Sequence, residues 1–294
     1  MRDLFIPTIP NADPSAMLNP EGTNFSAPAI LSCMMQREKP GGHTERSIAI
    51  GTIELAVWDA IAKIEDKPLY ALLAERFNQT QLPTRVNCYV GGGWYEPGKG
   101  VAELQSEIRS KLDQGYTTMK IKVGGASLAE DMARIEASLK IVQSNQHLAV
   151  DANAAFDRTR ALQYAQALSP YQLRWLEEPT APLDYALMAE LAGVYEAPMA
   201  TGENLFSTQD VANLVQFAKG RPDRDIIQID IPQSYGITQF IKTLEVLQAH
   251  GWNRTSVYPH GGNLMTLAAV AGLGLGGCEA YPGVFGIFAG FNDD

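Results

Sequence analysis

The sequence predicts an α/β protein built on a TIM-like barrel of the (β/α)7β type, and three observations predict it. Short β-rich runs alternate with helix-period segments from Val86 onward, there are eight such runs, and they recur about every 25–30 residues. Alternation of strand and helix demands crossover connections and therefore parallel strands. Eight of them at this interval suit a closed ring better than an open doubly wound sheet, which is the alternative.

Taken in order, residues 1–45 are rich in Pro, Asn, Ser and Gly and carry no sustained periodicity, so an irregular opening is expected. From Thr52 to Phe77 the residues Ile53, Val57, Ile61, Ile64, Leu69, Leu72 and Leu73 recur near helical spacing. Pro68 cannot continue a helix and divides this stretch into two. Leu82-Pro83-Thr84 reads as a linker. The strand runs are Val86–Val90, Thr118–Val123, His147–Val150, Arg174–Leu176, Pro198–Ala200, Ile226–Ile229, Thr255–Tyr258 and Cys278–Tyr281. Helical segments fall at Val101–Leu112, Leu128–Val142, Thr159–Leu168, Tyr185–Leu191, Gln209–Phe217 and Ile237–Ala249. Trp58, Trp175 and Trp252 sit among apolar neighbours and are core candidates.

Composition narrows the function. With 46% hydrophobic and 19% charged residues, the 294-residue chain can build a substantial core. A net charge of −10 argues against a nucleic-acid partner, because phosphate binding needs a basic face. No apolar run reaches the roughly 18 residues that span a bilayer, so no membrane partner is expected. Cys33, Cys88 and Cys278 stand apart with no CxxC pair, a poor disulfide or zinc framework. The opening MRDLFIPTIPNADPS lacks a basic stretch followed by an apolar core, and a cytoplasmic location is the expectation.

In a parallel barrel the working side chains sit at the C-terminal ends of strands. Lys120 and Lys122 are two apart and share one side of a strand. The following strand ends deliver Asp151 and Asn153, then Glu177 and Glu178, Glu203, Asp230, and His260. Several carboxylates brought to one barrel mouth repel unless a cation joins them, and Mg²⁺, which prefers oxygen ligands, meets that need. Such an ion can take a substrate carboxylate and stabilise the charge that develops when its α-proton leaves. The lysines and His260 then supply proton transfer, with Asp230 placed to hold the imidazole.

These strand-end residues, as a set, resemble the mandelate racemase subgroup of the enolase superfamily, with its Lys-x-Lys strand, three acidic ligands and Asp–His dyad. Asp151, Glu177 and Glu203 follow one another at steps of 26 residues, as that pattern requires. The step from Lys122 to Asp151 is 29 residues and that from Asp230 to His260 is 30. The resemblance implies Asp151, Glu177 and Glu203 as Mg²⁺ ligands, Lys122 and His260 as the proton-transfer pair, and Asp230 as the histidine's partner. It implies Lys120 as the cationic neighbour that steadies the substrate carboxylate and lowers the proton affinity of Lys122, with Asn153 also contacting substrate. The segments PMATGENLFS, RPDRD, DIPQSYG, PHGGN and GLGLGGCEAYP are most similar to the tartrate dehydratases of that subgroup, although smaller residues are expected there in place of Ile231 to Gln233.

The resemblance covers residues 40–291 and implies two domains: 1–83, part of an α+β capping domain, and 84–294, the barrel. The strand hairpin that opens the cap is expected upstream of Met1, and the segment that returns to the cap is expected beyond Asp294, so the chain reads as truncated at both ends. A homo-oligomer is expected.

Each feature alone has a plainer reading. A lysine pair on a strand is often a solvated face, Asp151 could cap the next helix, Glu178 rather than Glu177 could face the ion, and His260 could be a loop residue. His43, His147 and His250 read as surface or loop residues. The Gly272–Gly277 run precedes a strand instead of following one, which excludes a dinucleotide loop. The ordered spacing favours a Mg²⁺-dependent dehydratase of a polyhydroxy acid, tartrate or a sugar acid. A racemase or epimerase of a 2-hydroxy acid would use the same residues, and a non-catalytic metal-binding fragment is the rival of another class.

Overall fold

The structure is a computed structural model and describes residues 5–78 and 82–282. The last residues of the expected barrel, 283–294, and the opening residues 1–4 lie outside the described residues.

Four helices come first: α1 (Phe5–Thr8), α2 (Ala27–Met35), α3 (Glu45–Ile64) and α4 (Leu69–Phe77). The break at Pro68 falls as expected, with Pro68 just ahead of α4. The irregular opening does not hold throughout, because α2 is a nine-residue helix. Ser26 caps it by accepting a hydrogen bond from the Ala29 N–H, and Pro28 stands in the first turn, where no N–H is required. Its buried residues, Ala27, Ile30, Leu31, Cys33 and Met34, follow helical spacing, but the stripe is too short to emerge from Pro- and Asn-rich flanks.

The barrel follows with β1 (Cys88–Gly92), α5 (Val101–Asp113), β2 (Met119–Lys122), α6 (Leu128–Val142), β3 (Leu148–Asp151) and α7 (Arg158–Leu168). It continues with β4 (Leu176–Glu177), α8 (Tyr185–Ala192), β5 (Met199–Thr201), α9 (Thr208–Phe217), β6 (Ile226–Ile227), α10 (Ile237–Ala249), α11 (Leu264–Leu273) and β7 (Cys278–Ala280). All strand pairs are parallel, in the order β6-β5-β4-β3-β2-β1-β7. Val257 closes the ring: it bridges Ile227 on one side, and its carbonyl accepts the Gly276 N–H, 3.0 Å away, on the other. The eight expected strand positions are thus all occupied, the seventh by a bridge and not a full strand.

Helix α11 was not anticipated. It is apolar on every side and so shows no amphipathic stripe, because it lies between α4 and the barrel. The glycines around it are packing devices: a Cβ at Gly272 would lie 2.5 Å from the Tyr70 carbonyl of α4, and one at Gly276 would lie 2.1 Å from the Thr255 carbonyl. Two apolar clusters fill the space between sheet and helices, and Trp58 and Trp252 belong to one of them. Inside the ring, Tyr89, Ala149, Trp175, Ala200 and Tyr258 form a separate layer beneath the strand ends.

Glu54 joins the N-terminal helices to the barrel. This fully buried carboxylate of α3 accepts hydrogen bonds from the Ile237 and Thr238 N–H groups at 2.8 and 2.9 Å, capping α10, and from Trp58 Nε1 at 2.7 Å. It therefore positions the turn that leads from Asp230 to α10. Glu54→Gln keeps the size, but its NH2 would face the Ile237 N–H in place of Oε2, or the Trp58 and Thr238 N–H groups in place of Oε1, all of which can only donate. We expect a stability loss of about 2–4 kcal/mol, read as a lower urea midpoint with an unchanged slope; an unchanged midpoint would show that α10 needs no carboxylate cap.

Candidate active site

Strand register assembles the site. Lys122, Asp151 and Glu177 are direct neighbours across β2, β3 and β4, so they form one row at the C-terminal rim. Glu203 lies just past the end of β5, and Asp230 just past β6. Carboxylate oxygens of Asp151, Glu177 and Glu203, one from each, all lie within 4.8 Å of one another and could hold a metal ion. Glu177, not Glu178, belongs to this group; the Glu178 carboxylate instead accepts from Asn204 Nδ2 at 2.8 and 3.0 Å.

The two lysines are engaged differently. Lys122, partly exposed, donates to Asp151 Oδ2 at 2.6 Å. Lys120 is enclosed, bonded to Glu177 Oε1, 2.9 Å from Glu279 Oε1 and 3.5 Å from Asp151 Oδ2. Burial alone would strip its proton, but Glu177 and Glu279 hold it as an ammonium, well above the usual lysine range. Its charge faces three carboxylates of the cluster. Asn153 contributes its backbone N–H to Asp151 Oδ1 at 2.8 Å, with its side chain exposed at the rim.

His260 stands at the other end of the cluster. Its Nδ1 is 2.8 Å from Asp230 Oδ2, and its Nε2 is 3.6 Å from both Glu203 Oε2 and Glu279 Oε2. Asp230 is held in turn by the Gln233 backbone and side-chain N–H groups, both at 2.9 Å. Burial opposes the imidazolium, but the Asp230 bond together with Glu279 and Glu203 pushes His260 up to about 9. Because this value is raised, protonation of His260 favours the folded state fully below its ordinary value near 6.5 and progressively less as pH rises through about 9. In metal-free protein the imidazole should therefore titrate near 9, and Asp230→Asn should bring it back toward neutrality. Nitrogen-15 NMR of the histidine ring checks this; an unchanged titration in the variant would remove Asp230 as the cause.

Three members were not found from sequence. Glu279, fully buried on β7, sits between Lys120 and His260, and these two cations hold it below the usual carboxylate range against the effect of burial. Gln228 and Trp175 each donate to Glu177 Oε2 at 2.8 Å and fix its rotation. A glutamate inside the short apolar run Cys278–Ala280 was the available signal for Glu279. A Cβ at Gly91 would come within 3.0 Å of Glu279 Oε1, so that glycine leaves room for the carboxylate.

The donor set fits a hard divalent cation. Asp151, Glu177, Glu178, Glu203, Asp230 and Glu279 gather, among the described residues, around Lys120, Lys122 and His260, an excess of negative charge. Burial, with the neighbouring carboxylates, pushes Glu177 and Glu178 each up to about 8 despite Lys120 beside the first. Oxygen-only donors at this spacing match Mg²⁺ better than a thiophilic metal. No helix among the described residues is long and apolar enough to cross a membrane.

The L-talarate/galactarate dehydratase of Salmonella typhimurium is 33% identical over 205 residues, 69% of this chain and 48% of that protein. The arabinonate dehydratase of Saccharolobus solfataricus is 28% identical over 220 residues, 74% of this chain and 56% of that protein. The chain thus spans about half the length of these curated relatives. Among solved structures, a racemase from Streptomyces coelicolor A3(2) with bound magnesium superposes with a TM-score of 0.75 at 28% identity, covering 87% of this chain and 68% of that one. Residues 103–283, most of the barrel, match the family described as enolase C-terminal domain-like. The chain belongs to that family, the C-terminal barrel of the enolase superfamily.

Proposed function

We propose that the protein is a Mg²⁺-dependent dehydratase of a polyhydroxy carboxylic acid, with residues 1–83 as part of a cap over the barrel of 84–294. The observation that carries this reading is the flanking of one carboxylate cluster by two different proton-transfer groups. Lys122 touches its Asp151 end, and His260 approaches its Glu203 end.

A Mg²⁺ ion held by Asp151, Glu177 and Glu203 would supply a counter-charge for the substrate carboxylate and for the negative charge that develops beside it. Lys122 Nζ removes the proton from the α-carbon. The electron pair forms the Cα–Cβ double bond as the Cβ–O bond breaks, and His260 Nε2 gives its proton to the departing hydroxyl, which leaves as water. The resulting enol tautomerises to a 2-keto acid. Asp230, bound to Nδ1, keeps Nε2 facing the cluster and keeps the ring protonated. Glu279 and Lys120 set the charge of the floor, and Asn153 at the rim is offered as a contact to substrate.

Tartrate and the six-carbon diacids are the first substrates to test, given the tartrate-dehydratase-like segments and the talarate/galactarate relative. The experiment is a panel of acid sugars incubated with protein and Mg²⁺, with 2-keto acid trapped as a semicarbazone. Keto acid from at least one member supports the dehydratase. Starting material that only exchanges its α-proton would replace it by the racemase or epimerase reading, in which His260 returns a proton to the opposite face of the α-carbon. A panel with neither outcome would contradict both.

A further inference from the structure

A second polar cavity opens at the opposite end of the barrel. Its volume is about 740 Å³, within the range of small-molecule sites, and it is lined by residues just ahead of β1, β2, β3 and β4. Arg85, His147 and Arg174 face it together with Asn87 and Tyr258, and no Asp or Glu is among its described lining residues. In a chain with 33 Asp and Glu against 23 Lys and Arg, a cavity lined by two arginines and a histidine, with no acid among its described lining residues, favours anions.

Arg174 is built into this cavity. Its guanidinium stacks on the rings of Trp175 and Tyr258, 5.1 and 5.6 Å from their centroids, which fixes its plane. Its own contacts are weak: it donates to the Gln146 carbonyl and to the Tyr258 hydroxyl, each at 3.3 Å. Nε is buried with no acceptor, and no carboxylate pairs with the group among the described residues. A guanidinium held in one plane, weakly bonded and with no carboxylate partner, is matched by an oxyanion, whose oxygens accept from its Nη N–H groups. The cavity exceeds the needs of a bare ion.

We propose that this cavity at the N-terminal face of the barrel binds a small phosphate-bearing anion, away from the carboxylate cluster. The site rests on Arg174 and Arg85, with His147 at the rim. Cys88, at the start of β1, lines the same cavity and offers a local reporter.

The test uses the 294-residue chain in chelator, at constant ionic strength set with chloride, with inorganic phosphate and ribose 5-phosphate as probes. Calorimetry should give saturable binding for at least one of them. Saturation should slow iodoacetamide alkylation of Cys88, followed by peptide mass spectrometry. Arg174→Met, which retains an unbranched side chain over Trp175, should weaken binding about tenfold or more and abolish the protection. Arg85→Ala alters an exposed residue, keeps the test open if Arg174→Met does not fold, and should weaken binding several-fold. Tighter binding of the ester assigns the cavity to a phosphorylated metabolite, and equal binding assigns it to the free ion. Absence of saturable binding, binding unchanged in both variants, or binding without protection of Cys88 would overturn the proposal.

Discussion

In the proposed dehydration, Lys122→Ala should lower the rate of 2-keto acid formation by about a thousandfold or more, the loss expected when a positioned general base is removed. Folding should change little, because the side chain is partly exposed and its one ion pair is to Asp151. Mg²⁺ affinity should be maintained or improved, since Asp151 loses a competing cation. That combination separates a base from a structural lysine, which would lower stability and metal affinity together. Steady-state kinetics, a urea titration and calorimetry with Mg²⁺ give the three readings. A variant that turns over at the parent rate would remove Lys122 from the chemistry.

Glu203→Gln carries the second large effect. Removing one of three anionic ligands should weaken Mg²⁺ binding about a hundredfold or more, beyond what loss of a supporting residue does. Stability without metal should change little, because Glu203 both adds to the repulsion that raises Glu177 and Glu178 and helps to hold His260 protonated. Glu178 should then ionise more readily. Calorimetry and the metal-free urea midpoint provide the comparison. Equal losses in metal affinity and in metal-free stability would make Glu203 a structural carboxylate.

Much of this site was legible because a parallel barrel converts strand order into spatial order. Lys122, Asp151 and Glu177 are far apart in sequence, but each stands at a strand end, and register alone makes them neighbours. The dyad of Asp230 and His260 was readable for the same reason. What escaped depended on reach across the barrel. Glu279 matters because Lys120 leans toward it from β2, and Gln228 and Trp175 matter because both point at one oxygen of Glu177. Spacing carries no trace of such convergence.

Lys120, expected as an electropositive neighbour of Lys122, also meets Glu177, Glu279 and Asp151, contacts that its place on the strand does not disclose. Cys88 and Cys278 look isolated along the chain, yet β1 and β7 pair in register at these residues and bring their Sγ atoms to 3.7 Å as free thiols. Ring closure between the first and last strands is invisible to local pattern. Helices α2 and α11 were missed for opposite reasons, the first too short among turn-forming residues and the second too uniformly apolar.

Whether Lys122 and His260 act on one substrate from two ends of the cluster is tested by α-proton exchange in His260→Asn. Proton NMR in deuterated water, with Mg²⁺ and whichever acid sugar the parent dehydrates, follows exchange and keto acid together. His260→Asn should form no keto acid but still exchange the α-proton of recovered substrate through Lys122, whereas Lys122→Ala should do neither. Dehydration by His260→Asn at the parent rate, or α-proton exchange by Lys122→Ala, would contradict these roles.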